Sequence, residues 1–312
     1  MTTSPRVVLG MPAYNRPDTL PRALETLLSQ TYASFAIVVV DDKPLPEVRA
    51  IIETYQALDH RLVYEPNHER LGMIGNWKKA FDRGRELFPQ SEFFAWVSDH
   101  DIWHPRWLEV LVDALDRHPD VVLAYPRMER VYKNHRRAVR RHFQTLGMTS
   151  PLDRLRASGY GMTAGNCVYG LFRSDVLARA GVFRAVLAPD RQIVIQCLVL
   201  GQTIHVADVL WYREVAGMFS YGRQRRMFFP GRIPLHTFLP VTLQHFGVMA
   251  WDFAVRGRGR PAFGRAAGLF YAAANLWYLV KRDVSKGWIE FARKHGLMAP
   301  KNSGGAGDTA EA

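Results

Sequence analysis

Two aspartates, Asp99 and Asp101, are the first side chains of this sequence that are suited to chemistry. They lie in the segment Ser98–Asp101, "SDHD", which follows directly on the apolar run Phe93–Val97. Two carboxylates at the mouth of a buried strand can share a hard divalent cation whose other ligands are phosphate oxygens and water. Such a cation neutralises charge that grows on a departing diphosphate. The alternative is a polar loop that caps the helix predicted to begin near Pro105.

Two histidines beside these acids, His100 and His104, are four residues apart, which on one helix would indicate zinc. Pro105 puts His104 at or before the helix start, so the two rings do not share a helical face. The spacing therefore does not favour a zinc site.

A second pair of acids, Asp41 and Asp42, ends the most hydrophobic predicted strand, Phe35–Val40. Adjacent strand residues point to opposite sides, so one carboxylate can meet a ligand while the other caps the following turn. An acid in this position accepts from a ribose hydroxyl in nucleotide-binding folds, and a base N–H is a similar donor. Ordinary turn residues before Pro44 are the alternative.

The segments that must position these acids alternate between short apolar runs and amphipathic stretches. Strands buried on both faces and separated by helices specify a mostly parallel sheet with right-handed crossovers. Its functional loops should lie at the carboxyl ends of the strands. The predicted strands are Val7–Met11, Phe35–Val40, Leu62–Glu65, Phe93–Val97 and Val121–Tyr125, and the predicted helices are one that contains Leu20 to Leu28, then Pro46–Ala57, Gly75–Leu87 and Arg106–Arg117.

The second half of the chain is less regular. An apolar strand is predicted over Asn166–Phe172, and a helix over Ala188–Gly201. The segment Arg213–Arg265 holds nine arginines and two acids. The apolar stretch Ala266–Val280 has 15 residues, fewer than the roughly 20 that span a bilayer. With basic residues at both ends it fits either a helix in a membrane interface or a buried helix.

The composition indicates a globular protein that binds an anionic partner. The 312 residues include 41 Lys and Arg against 29 Asp and Glu, a net charge of +12. Nucleic acid, a phosphate-bearing substrate and lipid headgroups all fit this charge. The two cysteines, Cys167 and Cys197, have no spacing suited to zinc or a disulfide framework, and the N-terminus lacks the apolar region of a signal peptide. These features predict a cytoplasmic location.

Three stretches in this order, Val7–Asp42, Arg70–Phe81 and Phe93–Tyr125, strongly resemble the nucleotide-binding half of family-two glycosyltransferases. The resemblance is continuous over Arg6–Tyr125 and extends more loosely to Arg213. It implies an α/β fold of GT-A type, with a Rossmann-like, mostly parallel sheet flanked by helices and a C-terminal helical extension. The implied division is a glycosyltransferase domain at 1–215, a basic linker and helical region at 216–300, and a disordered tail at 301–312.

The resemblance also implies roles for particular residues. Pro12, Ala13 and Tyr14 would line the base pocket and Asp41 would bind the base. Asp99 would lie by the ribose and the metal, with Asp101 as the principal metal ligand. The full nucleotide-binding set is Pro12, Ala13, Tyr14, Asn15, Asp41, Asp42, Asn76 and Asp99. Two departures are the Asp-Asp-Lys-Pro turn in place of Asp-Asp-Gly-Ser, and His100 where an acid is common.

The resemblance assigns a general base as well. An inverting transfer needs a group that takes the acceptor proton on the face opposite the departing nucleotide. Asp190 in "APDRQ" matches the aspartate of the family's Glu-Asp pair, with Pro189 in place of the glutamate. The alternative is an acid favoured by the helix dipole.

Two arginines, Arg225 and Arg226, lie in "YGRQRRMFF" at a distance from Asp190 similar to that of the Gln-Arg-Arg-Trp motif in processive members. Met227 replaces the tryptophan of that motif, so polymer extrusion is not expected. The two guanidinium groups would contact a diphosphate or a phosphorylated acceptor. A solvated basic loop is the alternative.

The sequence therefore predicts a metal-dependent inverting glycosyltransferase that uses Mg²⁺ or Mn²⁺. It would move one sugar from a nucleotide-diphosphate sugar, with UDP favoured, to a carbohydrate or lipid-linked acceptor in cell-envelope glycan or glycolipid synthesis. The predicted location is cytoplasmic, with an anionic membrane surface as a further partner and no nucleic acid. The rival hypotheses are a nucleic-acid-binding protein, based on the basic clusters Arg127–Arg141 and Arg213–Arg265, and a catalytically silent scaffold.

Overall fold

The computed structural model describes residues 4–132, 135–139, 142–162, 164–214 and 220–294. Part of the basic cluster Arg127–Arg141 and the predicted tail at 301–312 lie outside these ranges. The strands within them are β1 (Val7–Ala13), β2 (Phe35–Asp41), β3 (Leu62–Pro66), β4 (Phe93–Trp96), β5 (Ile102–Trp103), β6 (Val121–Val131), β7 (Arg136–Ala138), β8 (Leu171–Arg173) and β9 (Gln202–Glu214).

All nine strands belong to one sheet in the order β3-β2-β1-β4-β8-β6-β9-β5, with β7 beside β6. The pairings among β1, β2, β3 and β4 are parallel, as is the long pairing of β6 with β9. Strand β2 is buried at every residue, as expected for a β-branched strand covered by helices on both faces. The predicted α/β class with a mostly parallel sheet is confirmed.

The helices cover both faces of this sheet and continue beyond it. They are α1 (Leu20–Leu28), α2 (Pro46–Leu58), α3 (Gly72–Leu87), α4 (Trp107–Arg117), α5 (Pro151–Gly161), α6 (Ala164–Cys167), α7 (Ser174–Ala180), α8 (Pro189–Leu200), α9 (Tyr221–Phe228), α10 (Val241–Ala250) and α11 (Arg265–Lys294). A 3₁₀ turn, Leu235–Phe238, precedes α10, and a π-helical segment, Trp251–Val255, follows it.

The predicted strand Asn166–Phe172 is only partly correct. Its first residues form the end of α6, and the strand β8 is short and antiparallel to β4 and β6. A short apolar run does not show by periodicity alone whether it is a strand or a buried helical turn. Gly170 joins the two pieces, and a Cβ there would lie 2.6 Å from the carbonyl oxygen of Ala124. This close backbone approach requires glycine.

The C-terminal extension is helical and packs on the sheet domain. A buried cluster joins Leu155 of α5 and Ile195 of α8 to Met249, Phe253 and Ala272. The described part of the segment 216–300, predicted as a basic linker and helical region, contains α9, α10 and α11. Among the described residues, no helix combines the length and the apolar character that crossing a bilayer requires.

Candidate active site

The loops that follow β1 and β4 meet at the carboxyl edge of the sheet. The backbone N–H of Tyr14 donates to Asp99 Oδ2 at 3.1 Å, and Thr19 Oγ1 donates to the Asp99 carbonyl at 3.0 Å. Parallel pairing of β1 with β4 puts both strand ends on this edge. The structure therefore brings together two residues that the sequence assigned to one site.

Asp101 is almost completely buried, with 1% of its surface exposed. Its carboxylate accepts from Trp211 Nε1 at 2.9 Å and from the backbone N–H of Glu214 at 2.9 Å. Both donors come from the end of β9, which the sequence did not connect with the site. A carboxylate has about four acceptor positions, so about two remain for a metal ion or another donor.

The ring of His100 lies between the two acids. Its Nδ1 is 2.8 Å from Asp99 Oδ1, and its Nε2 is 3.8 Å from Asp101 Oδ1. Two carboxylates from one loop are hard oxygen donors and fit Mg²⁺ or Mn²⁺. A cation bound by both acids requires the His100 ring to turn aside or to become a ligand itself. Water and phosphate oxygens would complete the coordination.

Asp41 has no exposed surface. Its carboxylate accepts from the Lys43 N–H at 2.9 Å and from the Tyr64 hydroxyl at 3.0 Å. Burial raises the pKa of Asp41, while these two hydrogen bonds favour the ionised form and lower it. Contact between Asp41 and a nucleotide base requires the groups that cover this carboxylate to move.

A partly open platform lies beside Asp41. The ring of Tyr14 is 41% exposed, and the guanidinium of Arg70 lies over it at 4.8 Å from the ring centroid. Asn15 adopts a left-handed backbone with φ of 54°, and its Oδ1 accepts from Lys43 Nζ at 3.2 Å. Pro12 and Ala13 are the last residues of β1. An exposed aromatic ring of this kind suits stacking with a base.

Two other residues of the predicted nucleotide-binding set hold the fold together. Asp42 accepts from the N–H groups of Leu71 and Gly72 at 2.6 and 2.9 Å, and so caps the start of α3. Asn76 donates to the carbonyls of Val40 at 3.0 Å and Ala13 at 3.3 Å, which joins α3 to β2 and β1. A direct nucleotide contact by either residue stays a prediction.

The cap at Asp42 leads to a stability prediction. We expect Asp42→Ala to lower the free energy of unfolding by about 2–4 kcal/mol, because a helix cap is lost and two N–H groups are left without an acceptor. Urea unfolding measures this effect. Asp113→Ala is the control, since Asp113 forms an exposed ion pair with Arg117 and should cost about 0.5 kcal/mol or less. Equal losses in the two variants would show that Asp42 does not support α3.

Asp190 lies in the first turn of α8, after Ala188 with φ of 49°. The preceding loop is held by residues far along the chain. The N–H of Leu187 donates to Gln244 Oε1 at 3.0 Å, and His245 Nε2 donates to the Leu187 carbonyl at 2.9 Å. Burial lowers the pKa of His245 to about 4, so the ring is neutral at physiological pH. The helix α10 therefore fixes where α8 begins.

Asp190 lies near the end of β9, the strand that also contacts Asp101. A Cβ on Gly165 would lie 3.8 Å from Asp190 Oδ2 and 3.5 Å from Arg213 Nη1, so both side chains flank this glycine. The charges of these acids and of Arg213 all affect the pKa of Tyr169. Burial raises the pKa of Tyr169, Arg213 lowers it, and the carboxylates of Asp101, Asp99 and Asp190 raise it further. Arg213 stands next to Glu214, whose N–H donates to Asp101, so the end of β9 connects Asp190 with the loop that carries Asp99 and Asp101.

Arg225 and Arg226 lie on α9, which packs against the start of α3. The Arg225 guanidinium donates to the Thr237 carbonyl at 2.8 and 3.2 Å and lies over the Phe238 ring at 4.5 Å. This arrangement ties α9 to the 3₁₀ turn. Arg226 is exposed. Contact of either arginine with phosphate stays a prediction.

The fold is similar to that of two solved structures. The TarS 1–349 structure from S. aureus in complex with UDP aligns with a TM-score of 0.56 at 16% identity, over 93% of this chain and 92% of the other. The mannosyltransferase PcManGT from Pyrobaculum calidifontis, in complex with GDP-Man and Mn²⁺, aligns with a TM-score of 0.51 at 17% identity, over 92% and 88%. At these identities the likeness concerns the fold alone, and it confirms the predicted GT-A type.

Curated relatives match over shorter stretches. WcaA from Escherichia coli, whose name refers to colanic acid biosynthesis, is 25% identical over 112 residues, which are 36% of this chain and 38% of the relative. The chain spans about a fifth to two fifths of the length of the curated relatives it matches. The family model "Glycosyl transferase family 2" matches residues 9–180, more than half of the 312 residues. The chain belongs to glycosyl transferase family 2.

Proposed function

We propose that this protein transfers a single sugar from a nucleotide-diphosphate sugar to a hydroxyl acceptor, with inversion at the anomeric carbon. The observation that carries this proposal is that the end of β9 adjoins both sets of acids, because the Glu214 N–H donates to Asp101 and the neighbouring Arg213 side chain flanks Gly165 together with Asp190. A UDP-sugar is the favoured donor. UDP bound to TarS supports this choice, whereas GDP-Man bound to PcManGT keeps a guanine nucleotide open.

The acids divide the chemistry between them. Asp190 takes the proton of the acceptor hydroxyl while the new bond to the anomeric carbon forms and the bond from that carbon to the diphosphate oxygen breaks. Asp190 lies in the first turn of α8, where the helix dipole favours a negative charge. Asp99 and Asp101 would hold Mg²⁺ or Mn²⁺, which offsets charge on the leaving diphosphate. Arg225 and Arg226 would approach the same diphosphate or a phosphorylated acceptor.

The nucleotide would enter at the end of β1. The exposed Tyr14 ring stacks on the base, with Pro12, Ala13 and Asn15 around it. Asp41 accepts from a base N–H once its covering groups have moved, and it must be ionised to do so. Asp42 and Asn76 hold the loops that form this pocket.

The pairing of Tyr64 with Asp41 predicts a pH effect on nucleotide binding. Affinity should rise with pH through the pKa of Asp41, because only the ionised form accepts from the base. We expect Tyr64→Phe to raise that pKa, since its hydroxyl favours the carboxylate, and so to move the acid-side midpoint of UDP binding to higher pH. Affinity at neutral pH should fall about two- to tenfold.

Titration calorimetry of UDP between about pH 4 and pH 8 measures this midpoint. Tyr55→Phe is the control, because the Tyr55 hydroxyl donates to Glu25 at 2.9 Å and not to Asp41. An unchanged midpoint in Tyr64→Phe, or the same shift in Tyr55→Phe, would rule out a role for Asp41 in binding the base.

We also propose that the acceptor is a carbohydrate or lipid-linked glycan of the cell envelope and that transfer takes place on the cytoplasmic side. The name of WcaA supports the envelope glycan. Two buried free cysteines, Cys167 and Cys197, fit a reducing compartment.

A donor panel tests the reaction itself. The full-length protein is incubated with UDP-, dTDP- and GDP-sugars, with Mn²⁺, with Mg²⁺ or with a chelator, and release of the nucleoside diphosphate is followed. We expect one nucleotide class to be turned over, with the chelator abolishing the activity. Inert donors under every condition, or turnover that the chelator leaves unchanged, would overturn the proposal as stated.

A further inference from the structure

The long helix α11 is apolar on two opposite faces. One face packs on the domain through Gly268, Ala272, Asn275 and Leu279, which are all buried. Their spacing of four, three and four residues forms a single helical stripe. This face accounts for the attachment of the helix to α5 and α10.

The opposite face carries large apolar side chains in contact with solvent. Phe270 is 56% exposed, Trp277 65%, Val284 66% and Trp288 61%. At about 100° per residue, positions 270, 277, 284 and 288 share one side of the helix, and Leu279 lies on the other side. A helix that packs on a core with one face normally has a polar outer face. Such a patch on a soluble domain indicates an interaction surface.

Among the described residues, the outer face carries one charged side chain, and it is basic. Lys281 is exposed and falls on the same side as Phe270 and Trp277. Asp283 lies on a different side and pairs with Arg282 at 2.5 Å. Among the side chains that the structure describes, no acid shares the outer face of α11. The nearby acid Asp252 is fully buried against Arg184 and Arg258, so it does not offset the surface charge.

We propose that the outer face of α11, from Phe270 to Trp288, docks on an anionic lipid bilayer with the helix lying in the headgroup plane. The face is about 27 Å long and runs along the helix axis, which suits a helix lying on the membrane. Tryptophan favours the headgroup region, and Lys281 would reach lipid phosphates. This inference does not depend on the proposed transferase activity.

A second copy of the chain is the competing occupant of this face. A two-fold dimer through the outer face would bury Lys281 from both copies in an apolar contact, and the described side chains of the facing outer face include no acid to pair with it. An anionic bilayer would bury the apolar side chains in its interface and pair its lipid phosphates with Lys281. The charge therefore favours lipid.

The distribution of tryptophan provides a direct probe. Of the eight tryptophans, Trp77, Trp96, Trp103, Trp107 and Trp211 are at most 8% exposed, whereas Trp251, Trp277 and Trp288 are at least 52% exposed. Brominated lipids quench only tryptophans that enter the bilayer. Emission is measured with full-length protein on brominated phosphatidylcholine vesicles, with and without phosphatidylglycerol.

We expect quenching and co-sedimentation on the anionic vesicles. The double variant Trp277→Ser/Trp288→Ser should bind them at least about tenfold more weakly, because it loses the apolar area that the bilayer buries. Lys281→Glu should weaken binding to anionic vesicles by about tenfold and have little effect on neutral ones. Leu58→Ser is the control, since Leu58 is 79% exposed at the end of α2.

Three results would overturn the proposal. They are no binding of wild type to anionic vesicles, equal binding of the double variant and the Leu58→Ser control, and a wild-type dimer in sedimentation velocity that the double variant converts to a monomer. Thermal unfolding of each variant shows that it is folded. Vesicle binding needs no sugar donor, so its outcome is independent of the donor panel.

Discussion

Asp101→Asn is expected to lower metal-dependent turnover of the donor by about a hundredfold to a thousandfold. The substitution keeps the shape of the side chain and removes the charge that would hold the cation. Asp101 accepts hydrogen bonds from Trp211 and Glu214, so an amide in its place sets an N–H₂ group against one of these donors. The lost acceptor should cost about 1–3 kcal/mol of stability.

The measurement must separate loss of the metal site from loss of the fold. Turnover is followed against Mn²⁺ concentration, and the melting temperature is recorded for each variant. A weakened site should need more Mn²⁺ for half-maximal activity, which a merely less stable protein would not. Asp113→Asn is the control on an exposed aspartate. Turnover within twofold of wild type at every Mn²⁺ concentration would remove Asp101 from the metal site.

Asp190→Asn is expected to lower kcat for sugar transfer by about a hundredfold to ten thousandfold, the usual contribution of a general base. The variant should still bind UDP and Mn²⁺ with wild-type affinity, because Asp190 comes from α8 and not from the strand-end loops. Kinetics and calorimetry together therefore distinguish it from Asp101→Asn, in which the metal site itself is changed.

Asp175→Asn is the matched control for Asp190. Both aspartates lie in the first turn of a helix, α7 or α8, where the helix dipole favours a negative charge. If Asp190 were only a dipole partner, the two substitutions would have similar small effects. If Asp190→Asn kept the wild-type rate of sugar transfer, another group would have to accept the proton of the acceptor hydroxyl.

The position of Asp41 and Asp99 at the same edge of the sheet could be predicted, because it follows from parallel strand pairing alone. Strands β1, β2 and β4 read clearly as buried β-branched or aromatic runs, and their carboxyl ends must share an edge. Which acid of each pair turns toward a ligand could not be predicted. In the structure Asp42 accepts from the N–H of Gly72 at the start of α3. This contact depends on the conformation of the loop before Gly72.

The supports of the site come from distant parts of the chain. Trp211 and Glu214 hold Asp101 across more than 100 residues, and Gln244 and His245 fix the loop before Asp190. None of these residues stands in a motif whose spacing points to the site, so single-sequence patterns carry no signal for them. These contacts depend on the pairing of β9 and the packing of α10, which are set by the tertiary structure.

The apolar stretch in α11 left two predictions open, a buried helix and a helix in a membrane interface. The structure shows why periodicity did not decide between them. Leu279 and its neighbours on one face are buried, while Trp277 and Val284 on the opposite face are exposed. A helix that is apolar all round gives the same pattern whichever face meets the core.

The central claim is that Asp99 and Asp101 bind one cation together with the diphosphate of the donor. Anomalous diffraction from crystals of the full chain soaked with Mn²⁺ and UDP tests it most directly. We expect a single strong peak about 2.0–2.6 Å from carboxylate oxygens of Asp99 and Asp101 and from the β-phosphate, with His100 turned aside or ligating. A manganese ion bound elsewhere, with His100 still between the two carboxylates and UDP in place, would contradict the account.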